Sequence, residues 1–119
     1  MNSRAVATNA KERMVRLLHM VKVRVGRVAE LRPGSMAQVK ADDRTYVVCN
    51  VNGELYALDG ICPHRGAPLA HGALHEHTIV CPWHAWEFDC RTGQGDCDSI
   101  STVPVTVDND CIYLNAGTA

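Results

Sequence analysis

From Val21 onward, apolar and polar residues alternate with a period of two, which is the pattern of strands that bury one face. Val21, Val23 and Val25 alternate with Lys22 and Arg24 and predict a first strand. Leu31-Arg32-Pro33-Gly34-Ser35 predicts a turn, a short strand follows around Met36–Lys40, and Asp42-Asp43 marks the next reversal. Strands over Thr45–Asn50 and Leu55–Leu58 are joined by Val51-Asn52-Gly53-Glu54, whose Asn-Gly pair accepts the positive φ angles of a tight hairpin. Thr78–Val80, Ala85–Asp89, Val103–Val107 and Ile112–Leu114 complete the set, with Asp108-Asn109-Asp110 as the last hairpin turn. No internal helical period, repeat or low-complexity segment interrupts the series. Short strands this closely spaced predict an all-β fold, an antiparallel sandwich or barrel.

The first residues differ. Over Asn9–Met20 the apolar residues Met14, Leu17, Leu18 and Val21 recur at helical spacing, which predicts a short basic helix or a frayed segment. Residues 1–19 are read as an N-terminal extension, and residues 20–119 as one complete domain. A chain of 119 residues with 46% hydrophobic and 21% charged content is an ordinary globular protein. Its core is modest, so a metal site that ties loops together adds usefully to stability. No run approaches the roughly 18 uninterrupted apolar residues of a membrane span. Met14–Val25 is interrupted by Arg16, Lys22 and Arg24, with no cleavage site and no twin-Arg pair. A cytoplasmic protein is expected, with six cysteines that are reduced thiols or metal ligands.

The formal net charge of −1 conceals an uneven distribution. Residues 1–44 carry ten of the 12 Lys and Arg residues, whereas residues 45–119 carry nine of the 13 acids against Arg65 and Arg91 alone. Most of these charges are solvated surface, but the C-terminal acids also set up a negative field that steers a basic partner. The basic residues are scattered and lack interleaved aromatics, which argues against nucleic-acid binding.

The chemistry concentrates in Cys62-Pro63-His64 and Cys81-Pro82-Trp83-His84. Each segment offers one thiolate and one imidazole within a turn. Thiolates suit iron–sulfur clusters, copper(I) or zinc, and imidazole suits zinc, copper or iron. A two-Cys, two-His zinc finger keeps its cysteines together and its histidines together. Here the donor types are mixed on each loop, and only Pro63 separates Cys62 from His64. A mixed pair on each loop suits a binuclear cluster, with both cysteines on one iron and both histidines on the other.

On these residues the chain resembles the Rieske [2Fe–2S] family, and the likeness runs beyond the four ligands. Cys62-Pro63-His64-Arg65-Gly66-Ala67-Pro68-Leu69 is similar to the family's first ligand loop. Cys81-Pro82-Trp83-His84-Ala85-Trp86-Glu87-Phe88-Asp89 is similar to the second, and Arg91-Thr92-Gly93 to the turn that closes it. Val103-Pro104-Val105-Thr106-Val107 looks like the return strand into the basal sheet. The resemblance covers roughly residues 20–116. It implies an antiparallel sandwich or barrel base with an inserted cluster-binding lobe near residues 59–93, and one cluster held by Cys62, His64, Cys81 and His84. Nothing in it accounts for residues 1–19.

Departures from the family's respiratory members refine the expectation. Those members brace their ligand loops with a disulfide, at positions that here are Ala67 and Trp83. They also carry hydroxyls that hydrogen-bond cluster sulfurs, at positions that here are Trp86 and Phe88. A hydrogen bond to sulfur stabilises the more negative reduced cluster, so its absence lowers the potential, toward about −150 mV. The resemblance is therefore to soluble ferredoxins, which carry single electrons from a flavin-containing reductase to a terminal oxygenase or another oxidoreductase. Residues 91–119 leave no room for an oxygenase's mononuclear-iron domain, so a carrier and not an enzyme is expected.

Other residues receive weaker readings. The histidine ligands should sit at an exposed tip, with Pro63, Arg65, Gly66 and Trp83 around them. His71, His75 and His77 with Glu76 are read as solvated surface, the alternative being a second metal site. Cys49 and Cys111 read as small buried hydrophobes; Cys90 and Cys97 flank a Gly-rich turn and could pair if oxidised, but cytoplasmic conditions argue against it, and they are assigned no role. No Gly-rich phosphate loop, Ser/His/Asp arrangement or paired carboxylates are present. Two other functions remain open: a small Rieske-type subunit of a nitrite reductase, and a zinc-stabilised binding module. The latter would be colourless and redox-silent.

Overall fold

The computed structural model describes residues 20–83 and 85–117. Ten strands run in chain order: β1 (Met20–Arg27), β2 (Met36–Ala41), β3 (Arg44–Val51), β4 (Glu54–Asp59), β5 (Ala73–His75), β6 (Thr78–Val80), β7 (Glu87–Asp89), β8 (Thr102–Val103), β9 (Val105–Asp108) and β10 (Cys111–Gly117). They form three antiparallel sheets, ordered β1-β10-β9, β2-β3-β4-β8 and β5-β6-β7. The only helices among the described residues are single 3-10 turns at Val28–Glu30 and Leu69–His71. None is long and apolar enough to cross a membrane. Of the helix expected over Asn9–Met20, and of the extension over residues 1–19, only Met20 falls within the described residues, and it opens β1.

The sheet containing β3 is the middle layer, and this explains why β3 does not alternate. Tyr46 and Val48 pack with Val39, Ala57, Ile112 and Leu114, between this sheet and the β1-β10-β9 sheet. Val47, Cys49 and Val51 point the other way, into a second core with Leu58, Leu69, Ile79 and Phe88. Both faces are covered, so every residue from Tyr46 to Val51 is buried. Asn50, the buried amide in this run, is bonded at both ends of its side chain. Its Nδ2 donates to the Leu31 carbonyl at 2.7 Å and its Oδ1 accepts from Gly53 N–H at 2.8 Å.

The hairpins follow local turn chemistry. The β3–β4 loop is only Asn52-Gly53, with φ of 54° and 95°, and the β9–β10 loop is Asn109-Asp110, at 51° and 65°. Asn and Asp tolerate this left-handed region better than other residues with side chains. Two expected strands differ in the structure. Val103–Val107 is split at Pro104, which has no N–H to donate to a ladder: Thr102–Val103 pairs with β4, and Val105–Asp108 pairs with β10. Ala85–Asp89 begins only at Glu87, because Ala85 takes a φ of 57°.

Between β4 and β8 the chain builds a separate lobe around the β5-β6-β7 sheet. Residues 94–101 belong to it as well, through bridges Phe88–Gly95 and Gln94–Ser99. The second core seals this lobe onto the basal sheet.

Candidate metal centre

The two Cys-Pro segments fold into matching loops. In the first, Cys62 N–H donates to Ala67 C=O at 2.8 Å, and Gly66 N–H donates back to Cys62 C=O at 2.8 Å. In the second, Cys81 N–H donates to Trp86 C=O at 2.7 Å, and Ala85 N–H donates back to Cys81 C=O at 3.2 Å. Each loop is thus closed from cysteine to the fifth residue after it, and reversed at the fourth. That fourth residue needs a positive φ in both: 78° at Gly66 and 57° at Ala85. Pro63 and Pro82 each follow the cysteine, where a fixed φ and a missing N–H suit a turn.

The loops bury the thiols and expose the rest. Cys62 and Cys81 are 1% and 3% exposed, while Pro63, His64, Arg65, Gly66, Pro82, Trp83 and Ala85 are exposed. The structure brings the two thiols together, since Cys62 and Cys81 share a hydrogen bond. Burial pushes the Cys62 thiol up, the backbone N–H of His64 pulls it down, the hydrogen bond with Cys81 raises it again, and Arg65 N–H lowers it. The net effect holds the Cys62 thiol above its ordinary range, and the two backbone donors are the opposing pull toward the thiolate, the form that ligates a metal. His64 lies at the tip with its imidazole stacked on the Trp86 ring, centroids 4.1 Å apart and planes 24° from parallel. His84 lies outside the described residues.

A buried thiol pair beneath an exposed imidazole is a donor set that fits a [2Fe–2S] cluster, where no iron needs more than two protein ligands. Among the described residues no three or more His, Cys, Asp or Glu side chains are grouped to hold a single metal ion. This includes the His71, His75, His77 and Glu76 run. His77 instead packs edge-on against Tyr56, centroids 5.7 Å apart.

Cys49 is buried in β3 as the sequence suggests, and Cys90 is buried and hydrogen-bonded to it, whereas Cys97 is exposed. Cys111 is half-buried and accepts from Arg24 Nη2 at 3.6 Å. Neither the stacking of Trp86 on His64 nor the Cys49–Cys90 contact could be read from spacing. Both join segments that are distant in sequence or lie on facing loops.

An all-β base carrying two closed Cys-Pro loops at one tip defines an iron–sulfur electron-transfer domain. The family model for the Rieske [2Fe–2S] domain matches residues 21–108. The ferredoxin component of the naphthalene 1,2-dioxygenase/salicylate 5-hydroxylase systems of Ralstonia sp is 33% identical over 89 residues, covering 71% of this chain and 86% of that protein. Apoptosis-inducing factor 3 of Homo sapiens is 33% identical over 100 residues, which covers 81% of this chain but only 16% of that protein. Among solved structures, a chain from the complex of reduced oxygenase and oxidized ferredoxin in carbazole 1,9a-dioxygenase superposes with a TM-score of 0.75 at 25% identity, covering 77% of this chain and 99% of that one. The chain therefore belongs to the Rieske [2Fe–2S] domain family. It carries a Rieske-type [2Fe–2S] cluster and serves in electron transfer.

Proposed function

We propose that Cys62 and Cys81 hold one iron of the cluster and His64 and His84 the other. The observation that carries this is the pair of hydrogen-bonded, buried thiols under two identically closed loops, with backbone N–H groups turned to the Cys62 sulfur. For His84 the support is the Cys-Pro-Trp-His motif itself. The bound cluster supplies one-electron transfer. The protein's own part is to hold the loops rigid, keep water from the sulfurs and present the imidazole edge to a partner. The cluster-binding domain is residues 20–119, with residues 1–19 an extension outside it.

The electron's route is the finer proposal. A flavin-containing reductase loads the chain, and a terminal ring-hydroxylating oxygenase receives the electron. Support comes from the oxygenase-system ferredoxins that this chain resembles in length and fold. A cytoplasmic setting is part of the same proposal, and there the six cysteines stay reduced or ligate metal. Trp86 and Phe88 offer no hydroxyl to a cluster sulfur, and Phe88 is only 1% exposed. The midpoint potential should then lie near the low end of the Rieske range, about −150 mV.

The test is purification without chelators, metal and sulfide analysis, and low-temperature EPR after dithionite. Two irons and two sulfides per chain with a rhombic signal are expected, lost in Cys62→Ser and in His84→Ala. A colourless, EPR-silent protein holding zinc would overturn the ligand assignment, and a clearly positive midpoint would overturn the low-potential reading.

A further inference from the structure

A second pair of thiols lies away from the ligand loops. Cys49 sits in the middle of β3, opposite Met36 on β2 and Tyr56 on β4. Cys90 follows β7, where its N–H donates to His77 C=O at 2.8 Å. The two residues are 0% and 1% exposed, belong to one apolar cluster, and share a side-chain hydrogen bond. One is part of the basal sheet and the other of the cluster lobe, so their contact crosses the seam between the two.

A single buried cysteine serves as a small hydrophobe. Two in mutual contact can in addition lose two electrons together and bond. The pair is also asymmetric. Its hydrogen bond to Cys90, together with burial, pushes the Cys49 thiol far up. The hydrogen bond from Cys49 holds Cys90 below the ordinary thiol range, against burial and the charge of Asp89, with help from Arg91. Access sets the order of reaction, because Cys90 lines a cleft with Tyr56, Arg91, Val103 and Pro104. An oxidant small enough to enter this cleft reaches Cys90 first, with Cys49 as the neighbouring sulfur.

We propose that Cys49 and Cys90 form a peroxide-reactive dithiol that closes to a disulfide between β3 and the end of β7, fastening the cluster lobe to the basal sheet. Cys90 sulfur attacks the peroxide, the O–O bond breaks, and one water leaves, giving a sulfenic acid. Cys49 sulfur then attacks Cys90 sulfur, the S–O bond breaks, and the Cys49 proton leaves with the hydroxide as a second water. Two thiols are oxidised by two electrons in all and one peroxide is reduced to two waters. No electron passes through the cluster. Exposed Cys97 takes no part.

The experiment treats the cluster-loaded chain with a small excess of hydrogen peroxide, blocks free thiols with iodoacetamide under denaturing conditions, and maps the peptides without reduction. Chymotrypsin combined with trypsin suits the map, because cleavage after Tyr56 separates Cys49 from Cys62, cleavage after Phe88 separates Cys90 from Cys81, and cleavage after Arg91 separates Cys90 from Cys97. The expected product is a peptide pair linked through Cys49 and Cys90, a whole-chain mass lower by two hydrogens, and visible cluster absorption that persists. Dithiothreitol should reverse the link, and C97S should still form it. In C49S, which keeps a hydrogen-bond donor beside Cys90 but cannot form the disulfide, dimedone should trap the Cys90 sulfenic acid several-fold more than in the unaltered chain. The proposal is overturned if peroxide bleaches the cluster while Cys49 and Cys90 remain alkylatable, or if Cys90 links to Cys97. The map of the unaltered chain decides the matter even where a variant fails to fold.

Discussion

At Ala85 the backbone enters the left-handed region with a side chain attached, at φ 57°, whereas the matching position of the first loop is Gly66, at 78°. The left-handed conformation costs an L-residue roughly 1–2 kcal/mol, and glycine returns about 0.5–1 kcal/mol of that through its freer unfolded chain. The strain persists because the Ala85 N–H bond to Cys81 C=O and the Cys81 N–H bond to Trp86 C=O together dictate the loop. Ala85→Gly should therefore raise stability by about 0.5 kcal/mol, and Ala85→Val, branched at Cβ, should lower it by about 2 kcal/mol. Gly66→Ala should cost about 1 kcal/mol for conformational reasons alone, since a Cβ there meets nothing within 4 Å. Thermal unfolding of the three variants checks the order. A neutral Ala85→Val would show that the second loop does not hold the conformation described. At this scale the sequence was informative about donors and silent about geometry. The cysteines and the glycine of the first loop were legible, but the need for a positive φ at an alanine was not, because alanine carries no mark of it.

The β7 strand and its turn show what a short element contributes. Asp89 closes this strand by accepting from Arg91 twice, Oδ1 from Nε at 3.0 Å and Oδ2 from Nη2 at 2.8 Å, and Oδ1 also accepts Arg91 N–H at 2.8 Å. The side-chain bond from Arg91 holds the Asp89 carboxyl below its ordinary range, against partial burial. A folded pKa below the unfolded one gives stability that is present above the unfolded value, about 4, and is lost as pH falls through the folded value. The bridge is half exposed, so its share is a surface pair's, about 0.5 kcal/mol. Asp89→Asn should lower the melting temperature slightly at pH 7 and leave that difference smaller at pH 3. A difference that widens in acid would mean the carboxylate is not the stabilised form. Strands of this length are where sequence reading falters. Thr78–Val80 was legible to the residue because all three of its side chains are β-branched, and its central Ile79 is fully buried. Its partner Ala73–His75 was missed, since Leu74 alone is apolar enough to signal a face and is only half-buried. The long β3 was found from its apolar run, although the reason for that run, a layer covered on both sides, belongs to the tertiary structure.

Across the whole molecule, charge and cluster meet at one end. Glu87 and Asp96 border the hollow formed by Ala85, Trp86 and Cys97, beside the second ligand loop, and Asp98 follows in the same segment. Among the described residues Arg65 is the sole cation on the ligand loops. The acids Asp108 and Asp110 belong instead to the β9–β10 hairpin of the base. A negative field around an electron-transfer tip draws a basic partner face to the orientation in which transfer occurs, and raises the association rate more than the affinity. Screening shortens the reach of that field from roughly 30 Å at 0.01 M salt to about 8 Å at 0.15 M. The second-order rate at which the dithionite-reduced chain reduces a ring-hydroxylating oxygenase should therefore fall about tenfold over that range, read by stopped-flow absorbance. Asp96→Asn with Asp98→Asn should flatten the salt dependence, while Asp108→Asn with Asp110→Asn should leave it steep. The contrast matters because both double variants change the net charge equally, so a field that acts only through total charge predicts the same result for each. A rate that rises with salt would mean that the partner's docking face is acidic, and that Arg65 rather than the acids around Trp86 guides the encounter.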